Sequence, residues 1–89
     1  MSNVSITLYN NDDARGLIAA IQKDNPNSKS SVYPGMVKID CPDRIVINRE
    51  SVETEIGRPW NVNEIHLSVI SLAGNVDEDD DYFIILWNH

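Results

Sequence analysis

The sequence predicts an α+β fold in which two β-α-β-β units form one small sheet-and-helix domain over residues 1–89. Three observations predict it. Several short stretches alternate apolar and polar residues between turn residues, the mark of half-buried strands. Two other stretches repeat their apolar residues at helical spacing. The order strand, helix, strand, strand then occurs twice, on either side of Pro42, with no linker between the halves and no residue-level repeat.

Val4, Ile6 and Leu8 alternate with Ser5, Thr7 and Tyr9 and predict the first strand. Asn10-Asn11-Asp12-Asp13 stops it and supplies N-cap and first-turn acids for a helix. Ala14, Leu17, Ile18 and Ile21 form the apolar stripe of that helix, and Gly16 inside it marks a close packing contact. Asn25-Pro26 ends it, because proline drives the preceding residue out of the helical region. Ser30–Tyr33 and Met36–Asp40 read as strands around a Pro34-Gly35 turn. Arg44–Asn48 is a further strand, and Glu50–Ile56 a short helix with Gly57 as its C-cap. Ile65, Leu67 and Val69 alternate with His66, Ser68 and Ile70 and read as a strand. Ala73–Asp81 reads as an acidic loop, and the almost wholly apolar Tyr82–Trp87 as a final strand, central or covered on both faces.

Charge narrows the partners. Residues 1–58 hold all seven bases and eight acids, whereas residues 59–89 hold six acids and no base. An acidic third of this kind repels phosphate backbones and anionic membrane surfaces, so nucleic acid and membrane are excluded as partners, and a basic groove on a protein is favoured. The N-terminus has no basic region followed by an apolar run, and no stretch has the roughly 20 apolar residues of a membrane span, which points to the cytoplasm.

Chemistry has little to stand on. A single cysteine, Cys41, excludes an internal disulfide and a cysteine-based metal site; Asp40 and Asp43 beside it raise rather than lower its pKa. His66 on a strand is a packing or surface residue, and the terminal His89 is expected to fray. Two distant histidines do not make a zinc site. The run Asp77-Glu78-Asp79-Asp80-Asp81 has neither the alternating ligands nor the glycine of a calcium loop, and reads as a solvated loop or a docking surface. No nucleophile elbow, phosphate loop or dinucleotide fingerprint is present. The expectation is a non-catalytic protein with no cofactor and no metal.

Four stretches carry a resemblance: Asp24-Asn25-Pro26-Asn27, Tyr33-Pro34-Gly35-Met36-Val37-Lys38-Ile39-Asp40, Ile56-Gly57-Arg58-Pro59-Trp60, and the run from Glu64 to Asp81. Together they resemble the regulatory (coupling, or effector) proteins of bacterial multicomponent phenol hydroxylases, a family shared with the regulatory proteins of soluble methane and toluene monooxygenases. The resemblance implies a duplicated β-α-β-β fold and no activity of its own. It implies as partner a hydroxylase with a carboxylate-bridged diiron centre, supplied with electrons by an NADH-dependent reductase. The regulator tunes turnover, substrate access and coupling on that hydroxylase.

The residues expected to dock are Tyr33 and Met36 around the Pro34-Gly35 turn, and Asn75, Asp77 and Glu78 in the acidic stretch. Two other functions remain open on the sequence. One is a small-molecule-sensing domain of ferredoxin-like type, which β-α-β-β orders also build; the other is a small enzyme using the carboxylates.

Overall fold

The computed structural model describes residues 3–87, so His89 lies outside the described residues. The elements are β1 (Asn3–Tyr9), α1 (Asp12–Asp24), β2 (Lys29–Tyr33), β3 (Met36–Pro42), β4 (Arg44–Asn48), α2 (Arg49–Ile56), a 3₁₀ helix (Val62–Leu67), β5 (Val69–Ala73), β6 (Asn75–Glu78) and β7 (Tyr82–Leu86). They build two antiparallel sheets, one ordered β2-β3-β1-β5 and the other β4-β7-β6.

The predicted duplication is visible in this order, but the strand that completes the second unit is β6 and not the one expected over residues 65–70. The unit β1-α1-β2-β3 lays its strands as β2-β3-β1, and β4-α2-β6-β7 lays its strands as β6-β7-β4. β5 stands outside the repeat. It comes from the second half yet pairs with the free side of β1 in the first.

The sequence pattern accounts for each buried face. Val4, Ile6 and Leu8 on β1, and Val37, Ile39 and Cys41 on β3, point inward while their neighbours point out. They meet Ile45 and Ile47 of β4 and Phe83 and Ile85 of β7 in one continuous core, closed by Leu17, Ala20 and Ile21 of α1 and Val52 of α2. β7 is central in its sheet, as its apolar run predicts, with Phe83 and Ile85 fully buried and Tyr82, Ile84 and Leu86 half-buried.

The two helices touch where Gly16 predicts a contact. A Cβ on Gly16 would collide with Cγ2 of Ile56 in α2. That methyl is fixed by β-branching and has no easy rotamer to escape into. Gly16→Ala therefore lowers stability by about 1–2 kcal/mol, the overpacking outweighing the roughly 1 kcal/mol that alanine gains in a helix. A urea unfolding curve checks the sign; a gain would mean that α2 moves aside freely.

Two expectations from the sequence need correction. Residues 65–67 are not strand but the end of the 3₁₀ helix, and only from Val69 does the chain pair with β1. With three residues per turn, Val62 and Ile65 fall on one side and are both buried. Glu64 Oε2 accepts the Asn61 N–H at 2.8 Å and fixes the start of the turn. The same Ile65/Val69 spacing also fits a strand, which is why alternation misreads it. The second correction concerns the acidic stretch. Asn75–Glu78 is the edge strand β6, paired along its length with β7. Edge position leaves its carboxylates in water, so charge does not prevent pairing.

Asn25, expected only to end α1, is buried and ties the two halves together. Its Nδ2 donates to the carbonyls of Ile21 and Val46, both at 2.8 Å, and its Oδ1 accepts the Val46 N–H at 2.9 Å. One amide side chain thus occupies the outer edge of β4 in place of a neighbouring strand. Further away, the Trp87 indole N–H donates to the Asn3 carbonyl at 2.9 Å and fastens the end of β7 to the start of β1.

Candidate protein-docking surface

The β2–β3 hairpin turns at Pro34-Gly35, and Gly35 has φ +76°, the left-handed value that a type II turn requires of its third residue. The turn also leans on β1, since the Asn10 N–H donates to the Gly35 carbonyl at 3.0 Å. Tyr33 pairs with Met36, and Met36 pairs with Tyr9. Directly opposed residues of antiparallel strands share a face, so Tyr33, Met36 and Tyr9 form one transverse row on the outer face of the sheet. Tyr33 is 45% exposed and Tyr9 48%, and Met36 is half-buried between them. The next rows are smaller and polar: Ser31, Lys38, Thr7 and Ser71, then Lys29, Asp40, Ser5 and Ala73. Lys38 and Asp40 pair across 3.8 Å at half-exposed positions, a contact that contributes little to stability.

Past Tyr9 the surface continues onto the segment before β5. The Tyr9 N–H donates to the Ser68 carbonyl at 2.9 Å. Beside that junction stand Leu67, 79% exposed, and Ile70, 43% exposed. Sequence reading missed Tyr9, Leu67 and Ile70 as surface features. Alternation places Leu67 on one strand face with Ile65 and Val69; the Asn61–Glu64 spacing, a helix-start signal, is the clue that separates it from them.

The acidic residues form a separate part of the surface. Asn75 follows Gly74, which lies against Val4 at the opposite end of β1 from Tyr9. Five residues of strand separate the two ends, about 16 Å. The structure therefore does not gather Asn75 with Tyr33 and Met36. β6 runs back from there, and at its far end Glu78 Oε1 lies 2.9 Å from Nε2 of His66, whose ring meets Phe83 edge-on with centroids 5.9 Å apart. His66 is thus an exposed residue of the 3₁₀ helix rather than a strand residue. It links the acidic hairpin to the segment carrying Leu67. Asp81 lies 3.3 Å from the Arg49 guanidinium at the start of α2. The phenol of Tyr82 is pushed up, first by Asp77, then by partial burial and by Asp79.

Neither of the other residues singled out for chemistry is poised for it. The Cys41 thiol is buried and pushed up by that burial first and by Asp43 second, so thiolate is disfavoured at neutral pH. Among the described residues no group of three or more His, Cys, Asp or Glu side chains is placed to hold a metal ion. No helix among them is long and apolar enough to cross a membrane. The hollow beside the acidic hairpin, lined by Arg49, Asn61, Val62, Asn63, Glu78, Asp79 and Asp80, is polar and offers no apolar enclosure for a small ligand. What the arrangement offers is a shallow apolar ridge with an acidic hairpin to one side.

The chain is 43% identical to the stimulatory component DmpM of phenol 2-monooxygenase from Pseudomonas sp. (strain CF600), over 99% of this chain and 98% of that protein. Among solved structures it is similar to a chain from a phenol hydroxylase–regulatory protein complex, with 48% identity and a TM-score of 0.93, covering 98% of this chain and all of that one. A second such complex contains a chain 44% identical, with a TM-score of 0.90 over 97% of this chain and all of that one. The regulatory protein B of soluble methane monooxygenase shares the fold at 21% identity, with a TM-score of 0.76 over 97% of this chain and 65% of that one. The model of the MmoB/DmpM family matches residues 2–86, and with the two-sheet fold and whole-length relatives above, it establishes that this chain belongs to the MmoB/DmpM family.

Proposed function

We propose that this chain is the cofactor-free regulatory component of a multicomponent phenol hydroxylase: it binds the diiron hydroxylase component and tunes the turnover and coupling of aromatic hydroxylation. The observation that carries this reading is the match, over their whole length, to chains solved in phenol hydroxylase–regulatory protein complexes. All of residues 1–89 act as one domain in this reading, in keeping with the single core shared by both halves. The cytoplasm is its place of action.

A protein without a redox group changes a rate by binding one state of its partner better than another. Moving a hydroxylase from 1:99 to 99:1 in favour of the active state needs about 5.5 kcal/mol of differential affinity. A few buried aromatic or aliphatic anchors supply energy of that order. On this surface Tyr33 and Met36, extended by Tyr9, are the apolar contacts, while Asn75, Asp77 and Glu78 face a cationic rim that steers approach.

The test is hydroxylation of phenol by a purified hydroxylase and its reductase, titrated with this protein. The expected result is a steep rise in rate that saturates at a fixed ratio to hydroxylase. No rise, with no binding in calorimetry, sinks the proposal and brings the ligand-sensing reading forward.

A further inference from the structure

The internal repeat shows which part of the chain is an addition to the repeated unit. In the first unit residues 25–28 carry the chain from α1 to β2; in the second, the equivalent step from α2 to β6 takes residues 57–74. The longer connection contains the 3₁₀ helix and β5, and it is not a loose excursion. The Trp60 N–H donates to Glu53 Oε2 of α2 at 2.8 Å, and Trp60, Val62 and Ile65 are buried in the core. Arg58 approaches Glu64 at 3.8 Å, and His66 meets Glu78 of β6. β5 then closes onto β1.

At the end of this fastened segment stands Leu67. Two residues past Ile65 in a helix of three per turn, it falls off the buried side, and at 79% it is the most exposed large apolar residue among those described. A lone surface leucine is ordinary. This one is next in the chain to Ser68, whose carbonyl accepts the Tyr9 N–H, and Tyr9 and Ile70 are exposed apolar residues of the same strand junction. It is displayed by backbone held in place before any partner arrives, so ordering it on binding costs little. Glu64 lies one turn before it, and Glu78, Asp79 and Asp80 lie across the His66 contact. An apolar tip with an acidic margin fits an apolar socket rimmed by cations.

We propose that residues 57–74 are the recognition element added to the duplicated fold, and that Leu67 is its anchor, entering an apolar, cation-rimmed socket on the hydroxylase component. This rests on the regulatory reading above. The hydroxylase, rather than the reductase, is the occupant because the relatives of 48% and 44% identity come from complexes with phenol hydroxylase.

The test compares Leu67→Asp with Asn63→Asp, which adds the same charge at an exposed position of the same segment but removes no apolar surface. Calorimetric binding to the purified hydroxylase is measured for wild type and both variants, with a thermal melt of each. The expected result is a Kd raised about 30-fold or more for Leu67→Asp, a change within about threefold for Asn63→Asp, and unchanged melts. Should Leu67→Asp melt lower, Leu67→Gln, uncharged and of similar size, replaces it under the same criterion. Wild-type affinity in the leucine variant, or equal losses in both aspartate variants, overturns the anchor while leaving the regulatory reading intact. Normal hydroxylase affinity with lost binding to the reductase overturns the choice of partner. A wild-type protein that does not bind hydroxylase at all removes the regulatory reading and this proposal with it.

Discussion

Replacing Gly74 by alanine is expected to lower stability by about 3–5 kcal/mol, enough to drop the thermal midpoint of a domain this size by roughly 15 °C or more. Gly74 is the corner where the chain leaves the first sheet as β5 and enters the second as β6. Its φ of +139° is strained for any residue with a side chain. A Cβ there would also stand 2.6 Å from Cγ2 of Ile85 and 3.1 Å from Cγ1 of Val4. Both neighbours are fully buried, one in each sheet, so neither can swing into solvent. Backbone strain and overpacking therefore act together. Circular dichroism melts of wild type and Gly74→Ala measure the loss; a shift below about 5 °C would mean that the corner can re-form without glycine.

The second large effect is expected at Asn25. Asn25→Ala removes three hydrogen bonds and leaves both backbone groups of Val46 without the partner they have on the outer edge of β4. Each orphaned group costs about 1–3 kcal/mol when buried, less where water reaches it. Val46 is half-buried, so a total of about 2–4 kcal/mol is expected. Asn25→Asp keeps the shape and the acceptor for the Val46 N–H but loses both N–H donors, and sets a carboxylate against two carbonyls. It should be at least as unstable as the alanine variant at neutral pH and recover in part as acid protonates it. Urea denaturation at neutral and acidic pH checks both statements. Equal stability of wild type and Asn25→Ala would show that water replaces the amide at that edge without loss.

These two residues also show where sequence reading reaches its limit. β1, α1 and the Pro34-Gly35 hairpin were legible because their causes are local: period two, period 3.6, a cap and a turn pair. Gly16 was legible as a contact because glycine within a helix needs a reason. Asn25 was legible only as a helix stop, since its partner Val46 is 21 residues away and no spacing rule connects them. The strand expected over residues 65–70 is strand only from Val69, because alternation over so short a run also suits a 3₁₀ turn with Val62 and Ile65 inward. The strand at 75–78 was hidden by its charge, which says that the residues stay wet and not whether they pair. Of the expected docking residues, Tyr33 and Met36 came together because the turn pairs them. Tyr9 and Leu67 joined that surface only through the path of the whole chain.

β5 has a consequence for how the protein assembles. The two units repeat each other in topology, but the first sheet is completed by a strand from the second unit, and β1 sits between β3 and β5. Neither half is therefore expected to fold alone, and a single cooperative unfolding transition is expected despite the duplicated plan. Contacts so distant in sequence place the chain among slow folders, in the range of milliseconds to seconds. During synthesis β1 emerges about 60 residues before β5 and keeps one open edge until β5 follows, which at about 5–20 residues per second is a wait of several seconds. A strand made early in this domain is thus among the last to be finished.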